Sequence, residues 1–495
     1  MISLLLTAPF LLPLATALLT VLVPSGGARK GVAFGGALAS LLVAACLVAE
    51  VASEGVLRVA IGGWEAPFGI ELVADALSAA MVLITALVAL LALLFQESDA
   101  DPAETSGYFH PLFFVLIAGV GGTFVTGDLF NLYVWFEVML LSALGLLAFG
   151  GRVRNLDATV KYFVLNATGT LAFLFAVAFL YAATGQLNFA ALAEASRPDD
   201  AARWLPFVSL LLVAFLVKAG AFPVFSWLPA SYPVLPAPVL ALFAGLLTKV
   251  GVYALLRTAA HVFPTAPVIF FEILGWLSVF AMIVGALGAI YHYDVRRILA
   301  FHIVSQVGYM LFGLALHTQG AQVATAFYVL HHIAAKSNLF LLAAVVARTA
   351  GSYDLRRIGG LYAARPGLAL LFLVSALSMV GVPPLSGFWA KLMLLREGIA
   401  EGRYVWTAAA LLTGFLTLFS MMKIWFAAFL EAHPAGVDAP KPLARATPAY
   451  AAIACFATVT IALGLFPEPV LEFLARAFGA SDPTEALASL AEGAR

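Results

Sequence analysis

Lys161, Lys218 and Lys249 recur as Lys336, Lys391 and Lys423, displaced by 175, 173 and 174 residues, each within or at the lip of an apolar stretch. A lysine at the bilayer centre costs roughly 2.5–3.5 kcal/mol to insert. Six such amines predict work that needs a charge gained and lost at membrane depth: the movement of protons or cations. Glu137 adds an acid in mid-span of NLYVWFEVMLLSALGLLAFG. Its expected partner is Lys218, two spans on at similar depth. While paired, the ammonium is held; once separated, a dehydrated ammonium gives up its proton. A pair that opens and closes is a proton switch, whereas one that stays closed only ties two helices together.

Lys249 in AGLLTKVGVYALLR is the central amine, with apolar residues on both sides that leave little room to snorkel to the headgroups. Lys336 follows His332 by four residues and His331 by five, so His332 and Lys336 share a helix face. Histidine titrates near neutrality and could relay protons there, although intramembrane histidines also serve as helix–helix hydrogen bonds. Lys391 is expected to control exchange with the far half of the chain. Lys161, near a span end, and Lys423 are weaker candidates. His302, with Ser305 and Gln306, occupies in the second half the place Glu137 holds in the first, without an acid. Asp75 and Asp128 read as solvated acids at span ends.

Positioning these groups requires a membrane. The chain has 495 residues, 63% hydrophobic and 11% charged, far from the balance of a soluble domain. Its net charge of −1 points to no nucleic-acid partner. Apolar stretches near 3–23, 31–52, 72–96, 110–127, 129–150, 158–182, 205–229, 234–257, 266–290, 295–317, 321–348, 367–395, 404–430 and 447–467 predict about fourteen transmembrane helices in an all-α integral membrane protein. Residues 469–492 read as a surface amphipathic helix. The first stretch lacks a basic leader and reads as a span. If GGARKG faces the cytoplasm, that side carries 12 Lys and Arg against 8 on the other, with both termini outside.

The lysine displacement maps spans 6, 7 and 8 onto 11, 12 and 13. Five helices is an odd step, which reverses direction, so two inverted five-helix repeats are expected. The division is 1–109 for helices 1–3, 110–257 for the first repeat, 258–430 for the second, and 431–495 for helix 14 and the amphipathic segment. Spans 7 and 12 read as discontinuous. Pro223 and Pro229 follow Lys218, while Gly381, Pro383, Pro384 and Gly387 precede Lys391. Proline removes a backbone donor, and broken backbone survives at membrane depth only inside protein or beside a hydrated cavity. No Walker loop, dinucleotide fingerprint or Cys/His metal spacing is present. Hence neither cofactor nor metal is expected, and the chain reads as a transporter, not an enzyme. Cys46 and Cys455 read as small core residues, and GVGG at 119–122 as close helix packing.

WFEVMLL, KAGAFPVFSWLP, AGLLTKVGVYALLR, GVPPLSGFWAKL and MMKIWF resemble the proton-conducting subunits shared by complex I and the Mrp-type multisubunit cation/proton antiporters. The resemblance covers nearly the whole chain. GGWEAPFGIELVADALSA, RRILAFHIVSQVGYM and the length point to the MrpD-like branch, without the added C-terminal region of its larger relatives. It implies fourteen core helices with inverted repeats at 4–8 and 9–13. It also implies roles: Glu137 and Lys218 as modulating pair, Lys249 as central amine, Lys336 and His332 linking the halves, Lys391 on broken helix 12. One departure is LPASYP, where Ala230 and Ser231 stand in the region many relatives give to an acid. The implied setting is the bacterial cell membrane, beside the other Mrp subunits (A, B, C, E, F and G), with H+ and Na+ as transported ions.

Three functions compete. The first is a proton-translocating subunit of a sodium/proton antiporter. The second is an antiporter-like subunit of complex I or a membrane-bound hydrogenase, using the same relay. The third is a free-standing carrier, which predicts a substrate pocket with few buried lysines.

Overall fold

The computed structural model describes residues 2–24, 26–98, 107–149, 151–196, 201–263, 266–433 and 445–479. Every one of the expected apolar stretches contains helix. They are α1 (Ile2–Leu22), α2 (Gly27–Glu54), α3 (Ala76–Gln96), α4 (Phe109–Val125), α5 (Leu129–Ala148) and α6 (Val153–Thr184). Then come α7a (Ala201–Ala219) and α7b (Trp227–Ser231), α8 (Ala237–Val262), α9 (Val268–Tyr291), α10 (Val295–Leu316) and α11 (Gln319–Ala350). Last are α12a (Pro366–Val380) and α12b (Ser386–Ala400), α13 (Tyr404–Leu430) and α14 (Ala446–Leu465). Eleven described helices are long and apolar enough to cross a membrane; α4 and α12a are apolar but shorter.

The sequence expectation needs three corrections. Residues 72–74 are strand, not the start of a span: β1 (Leu57–Ala60) pairs antiparallel with β2 (Glu71–Ala74), and α3 begins only at Ala76. Cys46 and Cys455 are free thiols on the outer surface, not in the core. The expected amphipathic helix is real over Glu468–Ala475, where it buries Leu471 and Leu474, but residues 480–492 lie outside the described residues.

Burial divides the helices into a spine and a rim. The apolar stretches of α8 and α11 are entirely enclosed, and that of α10 nearly so, whereas α1, α2, α6 and α13 present apolar side chains outward. Helices apolar on every side belong inside such a bundle or facing lipid. The glycines of GVGG do allow close packing, since a Cβ at Gly121 would lie 2.2 Å from the Pro9 carbonyl oxygen.

Two pairs of chain landmarks recur. At the start of α5, Asp128 bridges Asn188, with Leu129 N–H donating to Leu187 O and Phe189 N–H to Gly127 O. At the start of α10, Asp294 bridges Asp354, with Val295 N–H donating to Tyr353 O and Leu355 N–H to Tyr293 O. Both positions are 166 residues on. The first pair adjoins a cleft lined by Thr126, Phe189, Arg257 and His261. The second adjoins a cleft lined by Phe149, Arg152, Pro236, Arg296 and Tyr353. These residues belong to opposite ends of α5 and α8, so the two bridges lie on opposite faces of the bundle.

Candidate functional site

Both broken helices end in the same way. Gly220 at φ 64° follows α7a, and Gly381 at φ 98° follows α12a. In the first, Ala221 N–H donates to Leu216 O and Gly220 N–H to Val217 O. In the second, Val382 N–H donates to Leu377 O and Gly381 N–H to Ser378 O. This is the glycine-closed helix end that left-handed backbone permits. The two glycines are 161 residues apart, which places the lysines differently from the sequence expectation. Lys218 stands two residues before its break and Lys391 ten after. The lysine spacing of 173–175 thus differs from the 161 residues between the two glycines, and Lys218 and Lys391 do not hold matching places relative to their breaks.

Their surroundings differ accordingly. Lys218 is 3% exposed, and its Nζ has no hydrogen-bond partner. It lies 5.2 Å from the centre of the Phe136 ring. Glu137, the next residue, is within electrostatic reach of Lys218, but no ion pair within bonding distance joins them among the described residues. Glu137 is half-buried and shares a helix face with Phe130, Val134 and Leu141, all exposed. The acid therefore sits at the bundle's outer margin with the amine enclosed behind it.

Lys249 is fully enclosed. Its helix widens over Phe243–Leu247 into a π-turn, and the Lys249 ammonium donates to the Ala244 carbonyl within that turn. Wide turns of this kind recur at functional positions. Helix α11 closes over the same place: Ser337 Oγ donates to Ala241 O at 3.0 Å, and Gly245 leaves room for it. On the other side, Gly251 packs against the backbone of Phe215 and Ala219, so α8 touches α7a beside Lys218.

Lys336, one residue before Ser337, is fully buried with an unpartnered Nζ. Lys336 and Lys249 are within electrostatic reach of each other, and His332 of both. Neither ring nitrogen of His332 has a partner. His302 Nε2 hydrogen-bonds Ser420 Oγ at 2.6 Å, and His302 is within reach of both Lys336 and Lys391. His331 Nδ1 hydrogen-bonds Ser386 Oγ at 2.7 Å at the start of α12b, and Ser386 contacts Ser378 Oγ at 3.1 Å across the break. Gly387 makes that return possible, because a Cβ there would lie 1.8 Å from Ser378 O.

Lys391 then reaches back over the break. Its Nζ donates to Met379 O at 3.0 Å and Val380 O at 2.9 Å, the final carbonyls of α12a. A cation at a helix C-terminus meets unpaired carbonyls and the negative end of the helix dipole. Lys391 also lies 4.8 Å from the centre of the Tyr309 ring, which stacks on Tyr328, whose hydroxyl donates to Gln306 Oε1.

The structure thus brings Lys249, Lys336, His332, His331, His302 and Lys391 into one enclosed polar file, with Lys218 and Glu137 at its α7 end. Lys161 is outside it: exposed, and bonded to Asp157 at 2.6 Å one turn earlier. Lys423 is half-buried and donates to the carbonyls of Ile290 and His292 where α9 ends. Sequence reasoning missed Ser378, Ser386 and Ser420, because hydroxyls in apolar helices carry no spacing signal. It also misjudged Asp75. That acid caps α3 through Ser78 N–H and is buried against Arg257, whose Nη2 donates to Asp75 Oδ1 at 2.8 Å and Ser78 Oγ at 2.8 Å. Asp128 likewise is buried and caps α5, accepting from Asn131 N–H at 2.8 Å. Among the described residues no cluster of His, Cys, Asp and Glu could hold a metal ion.

A mainly helical membrane bundle with two glycine-closed breaks and an enclosed file of amines defines a class, the antiporter-like membrane subunit. Residues 126–417 match the family model described as NADH:quinone oxidoreductase/Mrp antiporter, TM, and the chain belongs to that family. More particularly, it is 40% identical over 439 residues to the D-type subunit of the Na(+)/H(+) antiporter of Alkalihalophilus pseudofirmus, covering 88% of each chain. A chain in the Mrp complex structure from Dietzia sp. DQ12-45-1b matches with TM-score 0.88 at 31% identity, covering 96% of both. A chain in the archaeal membrane-bound sulfane sulfur reductase also matches with TM-score 0.88, at 26% identity over 97% of both.

Proposed function

We propose that this chain is the proton-translocating subunit of a multisubunit sodium/proton antiporter. Protons move along Lys218, Lys249, Lys336, His332 and Lys391, and the opening and closing of the Glu137–Lys218 pair gates their entry. The observation that carries this reading is the run of buried polar atoms without partners: Lys218 Nζ, Thr248 Oγ1, Lys336 Nζ, both nitrogens of His332 and Nε2 of His331. Nearly all buried polar groups find a hydrogen bond, in many cases to water. A file of them through the spine of the bundle is a hydrated route, in which each amine is a stop for a proton. His331 and His302 stand in the same file as secondary stops, while Lys161 and Lys423 are assigned no part in it.

The working frame is two inverted five-helix units, 110–257 and 258–430, between helices 1–3 (residues 1–109) and the C-terminal part 431–495. The bridged pairs at the starts of α5 and α10, on opposite faces, and the matched breaks support it. Inverted units rocking about a fixed site are the usual basis of alternating access. A carboxylate on the outward face of α5 calls for a neighbouring polypeptide over Phe130, Val134 and Leu141, since a charge left against lipid is costly.

Ion exchange decides the matter. Everted vesicles holding the assembled complex, energised to an acid interior, should lose their pH gradient on adding sodium with no redox donor present. Dependence on a quinone or other electron carrier would favour the second reading, a redox-driven pump. That reading has its support in the equal likeness of fold to the sulfane sulfur reductase.

A further inference from the structure

The cleft beside the second bridged pair has no part in the proton file. It measures about 270 Å³, and its lining includes Arg152, Arg296 and Arg348 with Phe149 and Val239. Arg296 spends part of its charge on Asp294 at 3.2 Å and stacks on Tyr353 at 3.7 Å. Arg348 donates to the neutral Ser98 hydroxyl at 3.1 Å and lies over the Phe95 ring. Arg152 is exposed, and neither it nor Arg348 has a carboxylate partner among the described residues.

The backbone adds to this charge. Helix α6 starts at Val153 and α8 at Ala237, both at the cleft, and neither N-terminus is capped by a side chain. Unpaired N–H groups and the positive end of the dipole favour an anion there. Guanidinium forks suit phosphate oxygens in particular. The apolar wall, on helices whose Val153 and Leu156 face outward, suits an amphiphile lying at the bilayer edge.

We propose that this cleft binds a phosphate-bearing anion, and that an anionic phospholipid headgroup is its occupant in the membrane. A bound phosphate clasps the ends of α6, α8, α10 and α11, and so ties the first repeat to the second beside the segment that joins broken α7 to the Lys249 helix. The assembled complex in nanodiscs of phosphatidylglycerol should melt several degrees higher than in phosphatidylcholine. Arg152→Gln with Arg348→Gln should remove at least half of that gain and reduce the phosphatidylglycerol retained on native mass spectrometry. Arg152→Lys alone should keep most of both, and sets the baseline if the double variant assembles poorly. Millimolar inorganic phosphate in phosphatidylcholine discs distinguishes the sources: a gain lost in the double variant means a free anion suffices, and no gain means the lipid is required. The proposal is overturned if the double variant keeps the full phosphatidylglycerol gain and the same retained lipid as the unaltered complex.

Discussion

Lys391 has two separable duties, and substituting it two ways tells them apart. As a cap it supplies charged hydrogen bonds at 3.0 and 2.9 Å to the final carbonyls of α12a. As a relay station it must release a proton. Bonds from a charged donor contribute about 1.5–3 kcal/mol each, so Lys391→Ala removes two of them and strands two carbonyls beside the break. Water entering the polar file recovers part of this, leaving a net loss of about 3 kcal/mol. The assembled complex should melt several degrees lower, and exchange should be lost. Lys391→Arg keeps a permanent cation and more than enough donors, but a guanidinium does not give up its proton in proteins. That variant should assemble and melt nearly as the parent does, yet carry out sodium/proton exchange at no more than a few per cent of its rate in everted vesicles. Near-normal exchange by Lys391→Arg would refute the relay role and leave only the cap.

Other outcomes follow from the same geometry. Glu137→Gln and Lys218→Ala should each abolish exchange while the complex still assembles; ordinary rates in either would remove that residue from the mechanism. Lys161→Ala should exchange within about twofold of the parent, since an exposed pair with Asp157 contributes only about 0.2–1 kcal/mol. Gly251→Ala puts a methyl 2.4 Å from the Ala219 nitrogen, so α7a and α8 must part by several tenths of an ångström. Overpacking of this kind costs about 1–3 kcal/mol, and exchange should fall together with the melting temperature. Asp75→Asn leaves Arg257 buried without its counter-charge, a loss of about 3–5 kcal/mol, read as a lower yield of assembled complex on native gels.

Much of the architecture was legible because bilayer thickness imposes a length on every apolar stretch. The breaks in helices 7 and 12 were legible because proline and glycine cluster there, although single prolines such as Pro9, Pro13 and Pro206 sit inside unbroken helices. Hydropathy could not find the end of a strand: residues 72–74 are apolar enough to pass for the start of α3, and only backbone pairing separates them. The lysines showed that amines lie inside, but their spacing suggested a duplication that the chain landmarks do not follow. Side chains as long as lysine reach several ångströms along a helix, so groups at unlike positions can serve similar depths. The burial of Asp75 was invisible because its partner, Arg257, is 182 residues away in sequence.

Glu137 looks out from α5 among three exposed apolar residues. On the reading proposed above, that carboxyl group faces acyl chains until a companion polypeptide docks, and the lone chain carries a penalty that docking relieves. Stability gained only on association depends on how much companion is present. The residue proposed to gate transport thereby also reports completeness: an orphaned copy should turn over faster in the cell, and replacing the acid with leucine should prolong its life while silencing it.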